Sequence, residues 1–128
     1  MQKAGVLLAS CFFMSVVFSQ EYTLHLRPED RSTDILTLIR RLHPFQLKDN
    51  AIFFNGEVNS FNFPQGALII IDGVKTSDEV SNLYAIPVSE IESITVLTRP
   101  ADYAIYTSLN VSGVIIVKTR RGEEKNKR

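Results

Sequence analysis

Ala67-Leu68-Ile69-Ile70-Ile71-Asp72-Gly73-Val74 is the stretch on which the reading of this chain turns. Ala67 to Ile71 is an unbroken apolar run, the composition of a strand buried on both faces. Asp72-Gly73 then suits a tight turn, because glycine accepts positive φ without a steric cost. Downstream, Val88-Ser89-Glu90-Ile91 predicts a short helical turn and Ser93 to Leu97 a strand. Thr98-Arg99-Pro100 turns the chain into a short helix over Ala101 to Tyr106, and Val114 to Thr119 reads as a final buried strand. Upstream, Tyr22-Thr23-Leu24-His25-Leu26 alternates apolar and polar residues as a half-buried strand does. Arg27-Pro28-Glu29-Asp30 breaks it. Ile35, Leu36, Leu38, Ile39 and Leu42 fall on one helical face, which Ser32 or Thr33 can cap and Pro44 ends. Ala51-Ile52-Phe53-Phe54 is a short apolar run closed by the Asn55-Gly56 turn signal. Val58 to Gly66 is expected to be loop, tacked to the core by Phe61 and Phe63, and Thr76 to Tyr84 carries no regular period. The order β-α-β-β-α-β-α-β predicts an α+β fold, a mixed β-sheet with two or three short helices packed on it.

The ends frame this domain. Residues 1–19 read as a signal peptide, with Lys3 as the positive n-region, an uncharged apolar stretch from Ala4 to Phe18, and Ser19 as the small residue at the cut. That stretch is short for a membrane span, which needs about 17–25 residues, so export with cleavage and no direct membrane span is expected. Leu8-Ala9-Ser10-Cys11 has the form of a lipobox, which would place a lipid anchor at Cys11. Cleavage there would leave only about seven apolar residues in the h-region and strand Phe12 to Phe18 on the mature protein, so Cys11 is expected to leave with the signal. It is the single cysteine, so the mature domain needs no thiol or disulfide chemistry. Residues 20–122 then form one domain and 123–128 a charged, solvated tail. Fourteen basic residues balance fourteen acidic ones. With the basic residues scattered, there is no electrostatic footprint for nucleic acid.

Ile71-Asp72-Gly73-Val74, Ile91-Glu92-Ser93-Ile94, Ala104-Ile105-Tyr106 and Gly113-Val114-Ile115-Ile116-Val117-Lys118-Thr119, in that order and spacing, resemble the plug domain of TonB-dependent outer-membrane receptors, most closely the SusC-like branch of the Bacteroidetes. The match covers Ala67 to Gly122. Asp34-Ile35-Leu36 and Arg40-Arg41-Leu42-His43-Pro44 extend it loosely toward the plug pattern "D-L-L-R-R-L-P". The resemblance implies a small plug-like domain at the periplasmic face of the outer membrane or in the periplasm, with Asp72, Gly73 and Gly113 as structural motif residues. One loop departs from the pattern: where the family reads "A-I-Y-G-S-R-G-A-N-G-V", this chain reads Ala104-Ile105-Tyr106-Thr107-Ser108-Leu109-Asn110-Val111-Ser112-Gly113-Val114. Two glycines and the arginine are replaced, on the surface that meets the barrel wall or substrate in a receptor. Thr95 likewise replaces the second glutamate of "I-E-S-I-E-V". A receptor barrel needs roughly 22 strands of about 9–11 residues each. The 128 residues here cannot supply that number. The expectation is therefore a plug that serves a barrel made by another chain.

No catalytic or metal-binding constellation is visible, so no enzyme activity, cofactor or metal is expected. His25 should point outward from its strand, and His43 precedes a helix-ending proline. Asn110-Val111-Ser112 fits a glycosylation sequon, a short and unspecific match. Function is expected on surfaces, in the loops Lys75 to Tyr84 and Arg99 to Ser112. Tyr84, Glu92, Arg99, Tyr103 and Tyr106 are the candidate partner-binding residues, tyrosine and arginine being enriched at interface anchors. Three functions compete at this point. They are an accessory subunit that binds an outer-membrane β-barrel protein or complex in trans, a soluble periplasmic adaptor or ligand-binding module reusing the fold, and a decayed receptor fragment.

Overall fold

The computed structural model describes residues 21–54 and 65–121. The signal segment with Cys11, the Asn55-Gly56 turn, Phe61, Phe63 and the charged tail lie outside the described residues. The fold is α+β: a five-stranded mixed sheet, a separate two-stranded ribbon and short helices.

Strand β1 (Glu21–His25) is followed by a 3-10 turn over Pro28–Ser32 and helix α1 (Ile35–Leu42). The ribbon is β2 (Gln46–Lys48) with β3 (Ala51–Phe53), and the hairpin β4 (Leu68–Ile71) with β5 (Val74–Lys75) comes next. Helix α2 (Ser81–Tyr84) and a 3-10 turn over Val88–Glu90 lead into β6 (Ile91–Leu97). Helix α3 (Pro100–Tyr103) and strand β7 (Val114–Thr119) complete the described chain. The sheet order is β1-β6-β7-β4-β5, with every neighbouring pair antiparallel except β7 and β4, which run parallel.

The last described strand in sequence is thus the central one in space. That position explains its composition. Val114, Ile115 and Val117 are fully buried because β7 has a strand on each side and a packed layer on each face. On one face, Ile69, Ile94, Val96, Ile115 and Val117 pack with Ile35, Leu36, Leu38 and Ile39 of α1. Complete burial of a side chain such as Leu38 or Ile39 contributes about 1.5–3 kcal/mol. On the other face, Ile70, Leu97 and Val114 pack with Tyr103 and Val111.

Two hairpins share one turn chemistry. Asp49 and Asn50 join β2 to β3, and Asp72 and Gly73 join β4 to β5; all four residues have positive φ. Positive φ at both central positions of a two-residue loop is the type I′ signature, which matches the right-handed twist of the flanking strands. The Asp72 carboxylate accepts hydrogen bonds from the Thr119 backbone N–H (2.8 Å) and from its Oγ1 (2.6 Å). The turn is thereby clipped to the end of β7.

Several expectations need correction. The helix expected over Ala101 to Tyr106 is shorter and starts one residue earlier, at Pro100, whose fixed φ suits the first helical position. The residue ahead of α1 is Asp34, not Ser32 or Thr33, and its side chain makes no capping bond. The irregular Thr76 to Tyr84 stretch contains helix α2. Strands β2 and β5 had no counterpart in the expected order. They are three and two residues long and wholly exposed, so no apolar pattern marks them. Strand β4 is only half-buried at Leu68 and Ile71, rather than closed on both faces throughout.

Candidate functional site

Helix α3 and the loop after it are held by a set of internal hydrogen bonds. The Arg99 carbonyl accepts the N–H groups of Asp102 (2.9 Å) and Tyr103 (3.2 Å), and the Tyr103 carbonyl accepts those of Tyr106 (2.9 Å) and Thr107 (3.3 Å). The Thr107 hydroxyl accepts the Leu109 N–H at 3.0 Å. The Tyr103 hydroxyl crosses the loop and donates to the Val111 carbonyl at 3.1 Å. Beyond it, the buried Ser112 hydroxyl accepts the Phe54 N–H at 2.7 Å. Gly113 then passes so close to β6 that an added Cβ would sit 2.7 Å from the Leu97 carbonyl oxygen and 2.9 Å from the Phe54 ring. The requirement for glycine here is close approach, since Gly73 is the only described glycine with positive φ.

This framework settles where the candidate residues lie. Tyr103 is 5% exposed and packs in the second core, and burial raises the pKa of its phenol. Its ring serves packing and leaves little surface for a partner. Tyr106 is half-buried beside the same core. Arg99 Nε lies 3.5 Å from Asp102 Oδ2, an electrostatic contact more than a good hydrogen bond. Glu92 sits at a β-bulge of β6, without a partner residue on β7, and lies 3.8 Å from Arg120. Tyr84 is 56% exposed at the end of α2. Arg99, Tyr103 and Tyr106 belong to one element and its loop; Tyr84 and Glu92 come from other elements.

Two further residues on that loop are exposed. Ile105 is 82% exposed and Leu109 56% exposed. Both are aliphatic and lie on the loop that these bonds hold. A signal existed for Leu109, which occupies the place of the arginine in the plug pattern. Ser112, in sequence terms only part of a sequon, has a fully buried hydroxyl that accepts the Phe54 N–H. His25 is exposed, as its strand phase implies. His43 is half-buried and stacks edge-on between Tyr22 and Phe54, each ring centroid 5.5 Å away.

A groove of about 750 Å³ opens at the β4–β5 turn, walled by Ile71, Val74, Ile86, Pro87, Tyr106 and Ile116 and rimmed by Glu90, Lys118 and Arg121. Among the described residues, no group of three or more His, Cys, Asp and Glu side chains could hold a metal, and no helix is long and apolar enough to cross a membrane.

Compared with models of known protein families, the chain matches none, and a search of curated proteins finds no match. The likeness to plug domains rests on the residues quoted for it.

Proposed function

We propose that this chain is an exported, non-enzymatic, plug-like module that binds an outer-membrane β-barrel protein or complex in trans, as an accessory subunit of transport, secretion or assembly. The observation that carries the reading is the pair Ile105 and Leu109, presented to solvent by an internally bonded loop. A loop fixed in advance loses little entropy on docking, and aliphatic side chains held in water gain when a partner covers them. By resemblance, this is the loop that meets the barrel in receptors. Exchange of its arginine for Leu109 gives the contact an apolar character in this chain.

The test is gentle detergent extraction of the native outer membrane with a tagged copy, followed by mass spectrometry of what co-purifies. A barrel protein at equal stoichiometry is expected, with its recovery falling by about tenfold or more in Ile105→Asp and Leu109→Asp. Recovery of a free periplasmic monomer sinks the proposal.

A second reading, a soluble periplasmic ligand-binding module, is favoured by the groove beside Tyr106, whose volume lies in the range of small-molecule sites. It requires a ligand that raises the melting temperature, and that this rise is lost in Ile116→Asp.

A further inference from the structure

The two edges of the main sheet differ in their protection. Strand β5 is two residues long and carries Lys75, which makes it a poor template for another strand. Strand β1 is five residues long with neither proline nor glycine, and its register with β6 is regular from end to end. Its free side can be worked out from one bond. Leu26 N–H donates to the Glu92 carbonyl at 3.0 Å, and Leu26 and Glu92 are the pair that follows His25 and Ser93. Hydrogen-bonded and non-bonded pairs alternate along an antiparallel ladder, so Tyr22 and Leu24 also direct their backbone groups to β6. Glu21, Thr23 and His25 direct theirs to the side of β1 that no described strand occupies. The Thr23–Thr95 pair agrees: its hydroxyl oxygens are 3.1 Å apart, as the closer side chains of a non-bonded pair allow.

The geometry points to antiparallel pairing of β1 with β1 of a second copy, about a two-fold axis through Thr23. The backbone groups that face outward belong to alternate residues, so bonded pairs can form only among Glu21, Thr23 and His25 of the two strands. With Thr23 opposite Thr23, Glu21 of each copy faces His25 of the other. Each of the three pairs exchanges two N–H···O=C bonds. The side chains agree with this register and not with its neighbours. On the exposed face, each Glu21 carboxylate meets an imidazole, an opposite-charge or hydrogen-bonded pair made twice by symmetry. On the α1 face, Tyr22 meets Leu24 in the non-bonded positions, where side chains approach most closely, and both already pack on the main core. A slip by two residues would set Glu21 or His25 against Thr23 and lose both charge pairs. The interface is isologous and closes on itself, giving one sheet that runs through both copies. It uses a surface distinct from the Ile105–Leu109 loop, and it stands or falls independently of the barrel reading.

Sedimentation of the full chain over a concentration series, in mild detergent, tests this. A reversible monomer–dimer equilibrium is expected. Thr23→Pro removes an outward N–H that β6 does not use, a place where an edge strand tolerates proline. It should raise the dimer dissociation constant by about tenfold or more, since symmetry deletes two bonds at once. Glu21→Lys and His25→Glu alter only exposed side chains and should each weaken the dimer, while the double exchange restores it by forming a Lys–Glu pair. A monomer at every concentration, a dimer indifferent to Thr23→Pro, or a double variant no tighter than its parents overturns the inference.

Discussion

The two faces of the sheet are built on different terms. Beneath α1, four helix residues and the inward residues of β4, β6 and β7 form a continuous apolar layer. The opposite face is divided. Near β7 and β4 it is apolar and covered by Tyr103 and Val111. Near β1 it carries Glu21, Thr23 and His25, all exposed. One face holds the fold together chiefly by packing. The other relies on a few directed bonds and one close backbone approach, and leaves the remainder of its surface for contact. Most of the apolar packing thereby lies on one side of the sheet, and most of its exposed surface on the other.

That division can be broken from either side. The largest effect is expected from Ile39→Ala, which opens a cavity under α1 at a position with no exposure. A loss of about 2–5 kcal/mol in denaturant unfolding is the range for such a truncation. Next comes Gly113→Ala, where the new methyl meets a carbonyl oxygen and the Phe54 ring. Overpacking of this kind costs about 1–3 kcal/mol, and Leu109 should become more accessible to proteolysis as the loop loosens. Tyr103→Phe removes one hydrogen bond and leaves the Val111 carbonyl unpaired. Its cost should be near 1 kcal/mol or slightly above, read as a lower denaturant midpoint with the slope unchanged.

The smallest effects separate the faces by pH. Asp30 accepts the Arg27 N–H at 3.0 Å and the Arg41 guanidinium at 2.8 Å, tying the 3-10 turn to α1. These bonds, the Arg27 N–H first, hold its pKa below the ordinary 3.8. A carboxyl with a lowered folded pKa stabilises fully above its unfolded pKa, and the contribution disappears as pH falls through the folded one. Asp30→Asn should therefore flatten the acid limb of the stability profile. Tyr103 has the opposite sense. Burial raises its phenol above 10.0, so its contribution is complete below that value and is lost as pH rises toward the folded pKa. Tyr103→Phe should flatten the alkaline limb alone, with thermal melts across pH reading both.

How far the sequence foretold this depends on what imposes each element. Helix α1 and strand β7 carry their own apolar periods, and both were legible, β7 to the residue and α1 apart from the residue ahead of it. Strands β2 and β5 exist because a turn with positive φ lays them against a buried neighbour; their exposed residues hold no record of it. The candidate site was less legible. Tyrosine is amphipathic, and nothing local distinguishes Tyr103, turned inward with its hydroxyl satisfied, from the exposed Tyr84. Ile105 was unreadable for the converse reason. Its exposure is set by the bonds of the Tyr103 and Thr107 carbonyl and hydroxyl groups, which depend on where the loop is pinned.

The clip between Asp72 and Thr119 joins residues 47 positions apart in the chain. Strand β7, which it secures, lies between β6 and β4. A growing chain can form the β4–β5 hairpin and the β1–β6 ladder only as two halves with no strand between them. Closure of the sheet must wait for β7, whose pairing with β4 closes a second long loop besides the still longer one between β1 and β6, and closing such loops is slow for non-local pairing. Until then β4 and β6 each offer an unsatisfied edge. The order of strands therefore makes completion of the sheet depend on β7.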